Sequence, residues 1–323
     1  MCTWGGRITS VRTKAIPELA ILLSHLHQLP RLETINLTFF PPRRYHLDPD
    51  GPGRYALQAS ILGALAASFS VRAPSNLTSL SLYNLRTLDL SLLESPPFQN
   101  ALTSLKRLQL SVLYDRATGP GTAYASWLHF WSTMCSSTVL SPTQHSLTEL
   151  TLHSDVHVGA SSGVSLRALH FPHLRALSLG RLVFDPSVGA ERFILRHAAT
   201  LMELELFKCM LPIEDRYSFP TQIQPPSTIL TRNEEFGLGY THWGRIWDCF
   251  AAELAVLVAL HVNAGSERHY VYPLSPMPFP TLYERRAPAH FKEADVAALQ
   301  RFHVVVAARL EAGGSSRGSE GGP

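Results

Sequence analysis

One leucine phrase returns along this chain and restricts its possible folds more than any other feature. Its fullest form is Leu201-Met202-Glu203-Leu204-Glu205-Leu206-Phe207-Lys208-Cys209-Met210-Leu211, which reads L-x-x-L-x-L-x-x-C-x-L. The core L-x-x-L-x-L opens again at Leu77, Leu105, Leu147 and Leu174, with relaxed versions at Leu32 (through Ile35) and Leu257 (ending in Val262). Leu147 to Leu174 and Leu174 to Leu201 are steps of 27 residues, and Leu77 to Leu105 is a step of 28. A unit of that length cannot bury its own apolar face, so it must stack on its neighbours.

Each phrase predicts a short strand. Period-two alternation places Leu80 with Leu82, Leu108 with Leu110, Leu150 with Leu152, Leu177 with Leu179 and Leu204 with Leu206 on one face. Helical spacing between the strands falls on Ile16–Leu29, Tyr55–Phe69, Tyr124–Cys135, Val188–Ala199 and Trp243–Leu254. Each stacked leucine contributes about 1.5–3 kcal/mol, which offsets the entropy of ordering the units.

Three steps are long: 45 residues from Leu32, 42 from Leu105 and 56 from Leu201. They predict insertions near 43–54, 114–122 and 212–242. Asp48-Pro49-Asp50-Gly51-Pro52-Gly53 and Thr118-Gly119-Pro120-Gly121 mark the first two as loops. Because 56 is twice 28, a degenerate unit is expected near Ile229-Leu230. The array therefore spans residues 1–263. Residues 264–310 follow as an irregular Pro- and Tyr-rich wrap with a capping helix over Lys292–Leu310, and 311–323 as a Gly/Ser-rich disordered tail. Arg7 to Arg12 reads as a strand of a unit whose beginning is missing. A stack needs a cap, so a fragment of a longer product is expected.

The phrases, the irregular 27–28-residue period and the helix-rich intervals resemble leucine-rich-repeat proteins of the F-box type. Phe171-Pro172-His173-Leu174-Arg175-Ala176-Leu177-Ser178-Leu179, and Trp247-Asp248-Cys249-Phe250 leading into Leu254 and Leu257, are similar to the large fungal set of these proteins. The resemblance implies an α/β fold: a right-handed solenoid with parallel strands on the concave face and helices outside. It also implies a function, because in that family an F-box docks on the Skp adaptor of a cullin ubiquitin ligase while the repeats hold the substrate. Ile16-Pro17-Glu18-Leu19 resembles the Leu-Pro-x-Glu opening of an F-box, but a strand at Ile35 leaves no room for its remaining helices. Skp docking is therefore not carried over. The expectation is the substrate-binding half alone, a non-catalytic recognition module for a protein partner of unknown identity.

Totals exclude other classes. With 45% apolar and 16% charged residues the chain can build a core. The net charge of +3, without a basic stripe, argues against nucleic acid. Four cysteines without a C-x-x-C pair argue for a reducing, intracellular compartment, cytoplasm or nucleus. No apolar run approaches the ~20 residues of a membrane helix. The 15 histidines form no zinc-type spacing, so neither metal nor cofactor is expected. Gly159-Ala160-Ser161-Ser162-Gly163 matches the nucleophile elbow G-x-S-x-G, with Asp185 and His197 downstream in the order a hydrolase needs. A serine hydrolase using Ser161 is thus the alternative to binding. A decayed fragment without a partner is the third reading.

The candidate contact residues are those that alternate with the buried leucines: Tyr83, Arg107, Gln109, Glu149, Thr151, His153, Glu203, Glu205, Phe207 and His261. Interface anchors favour Tyr and Arg, which singles out Tyr83 and Arg107. Glu149, Glu203 and Glu205 make the later half acidic and suited to a basic or Arg-bearing segment.

Overall fold

Seven leucine phrases become seven strands of one sheet. The computed structural model describes residues 12–29, 31–39, 51–71, 76–87, 90–114, 120–159, 163–212, 242–263, 270–272, 283–285 and 289–315. Its strands are β1 (Thr34–Thr38), β2 (Ser79–Arg86), β3 (Arg107–Leu113), β4 (Glu149–Val158), β5 (Ala176–Leu182), β6 (Glu203–Phe207), β7 (Leu211–Pro212), β8 (Ala259–Asn263), β9 (Tyr270–Tyr272) and β10 (Tyr283–Arg285). The main sheet has the order β1-β2-β3-β4-β5-β6-β8, and every neighbouring pair is parallel.

The register repeats from pair to pair. Ile35, Leu80, Leu108, Leu150, Leu177, Leu204 and Leu260 form one rung, and Leu37, Leu82, Leu110, Leu152, Leu179, Leu206 and Val262 another. All are buried except the two edge residues Leu37 and Val262, which are half-buried. One backbone device sets this register. The second residue of each phrase offers its carbonyl to two N–H groups of the next phrase. Thr78 and Ser79 donate to Glu33, Lys106 and Arg107 to Thr78, and Thr148 and Glu149 to Lys106. Arg175 and Ala176 donate to Thr148, Met202 and Glu203 to Arg175, and Val258 and Ala259 to Met202. Asn84, Arg181 and Lys208, each two residues past the third leucine of its phrase, adopt left-handed backbone with φ of 58°, 57° and 51°. Cys209 follows Lys208, and its buried thiol donates to the Leu179 carbonyl on β5 at 3.3 Å.

Helices α1 (Arg12–Ser24), α2 (Gly51–Val71), α3 (Pro96–Leu102), α4 (Pro120–His129), α5 (Ala190–Arg196), α6 (Trp243–Glu253) and α7 (Ala289–Ser315) supply the second layer. Phe69, Phe98, Trp127, Phe193 and Phe250 pack in one core cluster with the strand leucines. Between β4 and β5 no helix forms among the described residues; Val164, Leu166, Leu169 and Phe171 fill that place from turns.

Several boundaries differ from expectation. Helix α2 begins at Gly51, inside the expected loop, because Pro52 falls in a first turn that needs no N–H donor. Helix α3 was masked in the sequence by Pro96 and Pro97, which occupy the same tolerant position. Helix α4 continues as a π-helix over Phe130–Leu140, whose wider turn buries Phe130, Trp131, Met134, Cys135, Val139 and Leu140. Helix α5 starts at Ala190 rather than Val188, since Gly189 takes φ 70°. β6 and β8 pair directly, with no strand between them in the sheet, and Ile229-Leu230, where a degenerate unit is expected, lie outside the described residues. β9 and β10, within the expected irregular wrap, join β7 in a second sheet of order β10-β9-β7, with β9 parallel to β7 and antiparallel to β10. Helix α7 runs to Ser315, into the expected tail. The expected strand over Arg7–Arg12, save Arg12 itself, and the core of each expected insertion lie outside the described residues.

Helix α7 lies alongside α6 in the same direction and holds both of its ends. Asp295 accepts the Gly244 N–H at 2.6 Å, satisfying a first-turn donor. Arg309 donates to the carbonyls of Ala251 and Leu254, both at 2.7 Å. Between them Phe302 is fully buried against Trp247 and Phe250, and Arg301 meets the exposed Asp248 at 2.7 Å. Replacing Arg309 by Ala leaves two helix-end carbonyls without their charged donor and should lower the unfolding free energy by about 1.5–3 kcal/mol. Arg301→Ala, a surface pair, should cost at most about 1 kcal/mol. Urea denaturation of both variants checks the ordering.

Candidate protein-binding face

Alternation that buries the leucines turns every other strand residue to the opposite face. Three rungs cross it. The first holds Thr34, Ser79, Arg107, Glu149, Ala176, Glu203 and Ala259; the second Asn36, Ser81, Gln109, Thr151, Ser178, Glu205 and His261. The third pairs Thr38 with Tyr83, and Ser111 with His153, Gly180, Phe207 and Asn263 beyond a bulge between β2 and β3. These side chains are exposed or half-buried, apart from Ser79, Ser81 and Gly180. All ten expected contact residues stand on these rungs.

The structure joins them into two clusters. On β2 and β3 the hydroxyls of Ser81, at 3.0 Å, and Tyr83 both donate to Gln109 Oε1. Tyr83 is thereby held by Gln109, while Arg107, expected beside it as an anchor, stands on the first rung and does not join it. On β4, β5 and β6, Ser178 Oγ lies 2.8 Å from His153 Nε2 and donates to Glu205 Oε2 at 2.5 Å. The His153 ring stacks on Phe207, with centroids 5.9 Å apart and planes 14° apart. Burial holds His153 below its ordinary pKa of 6.5, with the Glu205 carboxylate opposing that shift. Arg107, Glu149, Thr151, Glu203 and His261 make no side-chain hydrogen bond or ion pair with other described residues, so their polar groups are free to meet a partner.

The role of Gly180 and the place of Lys208 in this region escaped sequence reasoning. Gly180 is the floor of the His153–Phe207 stack, since a Cβ there would lie 2.6 Å from His153 Cγ and 2.7 Å from Cδ2. The available signal was a glycine at a position where other phrases carry Tyr83, His153 or Phe207. Lys208 extends its ammonium over the Phe207 ring, 5.2 Å from the centroid.

Comparison of the chain with protein-family models, with curated proteins and with solved structures gave no match.

The hydrolase alternative finds its downstream residues occupied. Ser161 lies outside the described residues. His197 is buried, its Nδ1 donates to the Phe193 carbonyl at 2.7 Å, and its Nε2 accepts the Phe171 N–H at 2.9 Å. No lone pair remains to take a proton from serine. Asp185 accepts the N–H of Ser187 at 2.7 Å and its hydroxyl as well, closing a local turn. Burial pushes the thiols of Cys135 and Cys209 up to about 12, which keeps both protonated. Among the described residues no three His, Cys, Asp or Glu side chains converge as metal ligands, and no helix is long and apolar enough to cross a membrane.

Two outcomes follow. Gly180→Ala should push the His153 ring off Phe207 and break its bond to Ser178; loss of ring-current shifts between the two side chains in NMR spectra checks this. Burial, with the nearby His170 and Arg196 charges, lowers the pKa of His197 to about 4 against the Phe193 hydrogen bond, while the unfolded chain titrates near 6.5. The unfolded state therefore binds the proton first. Stability from this group is present above pH 6.5 and is lost as pH falls to about 4. In His197→Gln, unfolding free energies measured across that window should lose this part of the slope.

Proposed function

We propose that the chain is a leucine-rich-repeat solenoid acting as a non-catalytic recognition module, which binds a protein partner through the polar face of its main sheet. One observation carries the reading. All-parallel sheets are ordinarily covered on both faces, yet among the described residues one face is packed with leucine while the other keeps at least one exposed or half-buried side chain on every strand. Arg107, Glu149 and Glu203 on that face have no side-chain partner among the described residues, and Tyr83 and Phe207 offer apolar contact beside them. The acidic residues Glu149, Glu203 and Glu205 favour a basic or Arg-bearing segment over β4–β6. The family resemblance extends the proposal to the substrate-holding part of an intracellular ubiquitin-ligase receptor.

Capture with cross-linking and mass spectrometry tests the reading. A partner held by the wild type should be lost from Glu149→Lys with Glu203→Lys and weakened at least about 30-fold by Tyr83→Ala with Arg107→Ala, the scale of interface anchors. Glu293→Lys, on the exposed side of α7, should retain it. Equal capture by face variants and wild type would remove the face assignment. Co-purification of a Skp adaptor decides the ligase extension separately.

A further inference from the structure

The proton inventory of the His153–Ser178–Glu205 chain follows from its geometry. Ser178 has a single hydroxyl hydrogen and gives it to Glu205 Oε2. The 2.8 Å contact between Ser178 Oγ and His153 Nε2 then requires the imidazole hydrogen on Nε2. Nδ1 keeps its lone pair and makes no hydrogen bond among the described residues. The ring has little freedom to turn. It lies nearly parallel to Phe207, and Gly180 beneath it leaves no more than the space it fills. Lys208 already places its ammonium on the Phe207 ring.

We infer that this cluster is a proton-sensitive element of the sheet face. A proton from solvent at His153 Nδ1 turns a neutral imidazole–serine–carboxylate chain into an imidazolium and a carboxylate bridged by Ser178, and it displaces Lys208 from Phe207. Charge-assisted hydrogen bonds are the stronger kind, so the chain tightens on protonation. A second cation against the same aromatic ring repels the first, and the mobile lysine is the one that yields.

Among the described residues the charged groups around His153 are few. On β6 they are Glu205 and Lys208, on β5 Arg181 next to Gly180, and on β3 Arg107 two rungs away. Along its own strand Asp155 accepts the Tyr114 N–H at 2.7 Å. Burial of the ring moves its titration to the acid side of 6.5, and Glu205 limits that movement. The element needs no partner to operate. Where the face does hold a partner, the acid form presents it with one more positive charge.

Two-bond proton–nitrogen NMR spectra of the full chain test the inference. At neutral pH His153 should show the Nε2–H tautomer, with a titration midpoint below 6.5. Glu205→Gln should move that midpoint lower still. The Lys208 ε-methylene signal, shifted by the Phe207 ring, should relax toward its free position with the same midpoint, and in His153→Gln it should not titrate in that range. An Nδ1–H or mixed tautomer in the wild type would overturn the inference without recourse to any variant. So would a midpoint unmoved by Glu205→Gln, or a Lys208 signal indifferent to pH.

Discussion

A carbonyl shared by two N–H groups is the contact on which the rest of the molecule depends. It recurs between every pair of neighbouring strands in the main sheet, from Glu33 to Met202, and always at the second residue of the phrase. It pins each strand to its predecessor with no offset. A slip of one residue would move the leucines to the polar face, so the bracket and the leucine rungs enforce one another. The polar rungs inherit the same alignment, which is how Ser178 comes to lie between His153 and Glu205.

The strands were legible because their evidence is local. Leucines at the first, fourth and sixth positions of a phrase reveal both the strand and its buried side, and these leucines are buried from Leu77 through Leu257. Helices were legible where apolar spacing was dense, as at α2 and α6. They were hidden where prolines occupied a first turn, as at α3, or where the wider π turn carried the helix beyond Cys135. The 56-residue step left two readings open, because arithmetic alone cannot separate a spare unit from an insertion; the pairing of β6 with β8 shows that no strand stands between them in the sheet.

The polar face was legible as a set of residues and not as a set of contacts. Alternation named Gln109, His153, Glu205 and Phe207, but their grouping depends on register between residues some 25 to 28 positions apart. Nothing in the composition indicates that Gly180 must lack a side chain for its neighbours to stack. Tyr83 shows the limit from the other side: its residue type suggested an anchor, while its hydroxyl is already engaged by Gln109.

The strand brackets also separate two quantities that most sheets couple, the length of a connection and the alignment of the strands it joins. Leu201 to Leu257 spans about twice the distance along the chain of Leu174 to Leu201, yet β6 meets β8 in the same alignment as β5 meets β6. Closing a loop of doubled length costs only about 0.6 kcal/mol more in entropy. Such a scaffold tolerates growth between its strands without disturbing the polar rungs, so its outer connections and its sheet face can diverge independently.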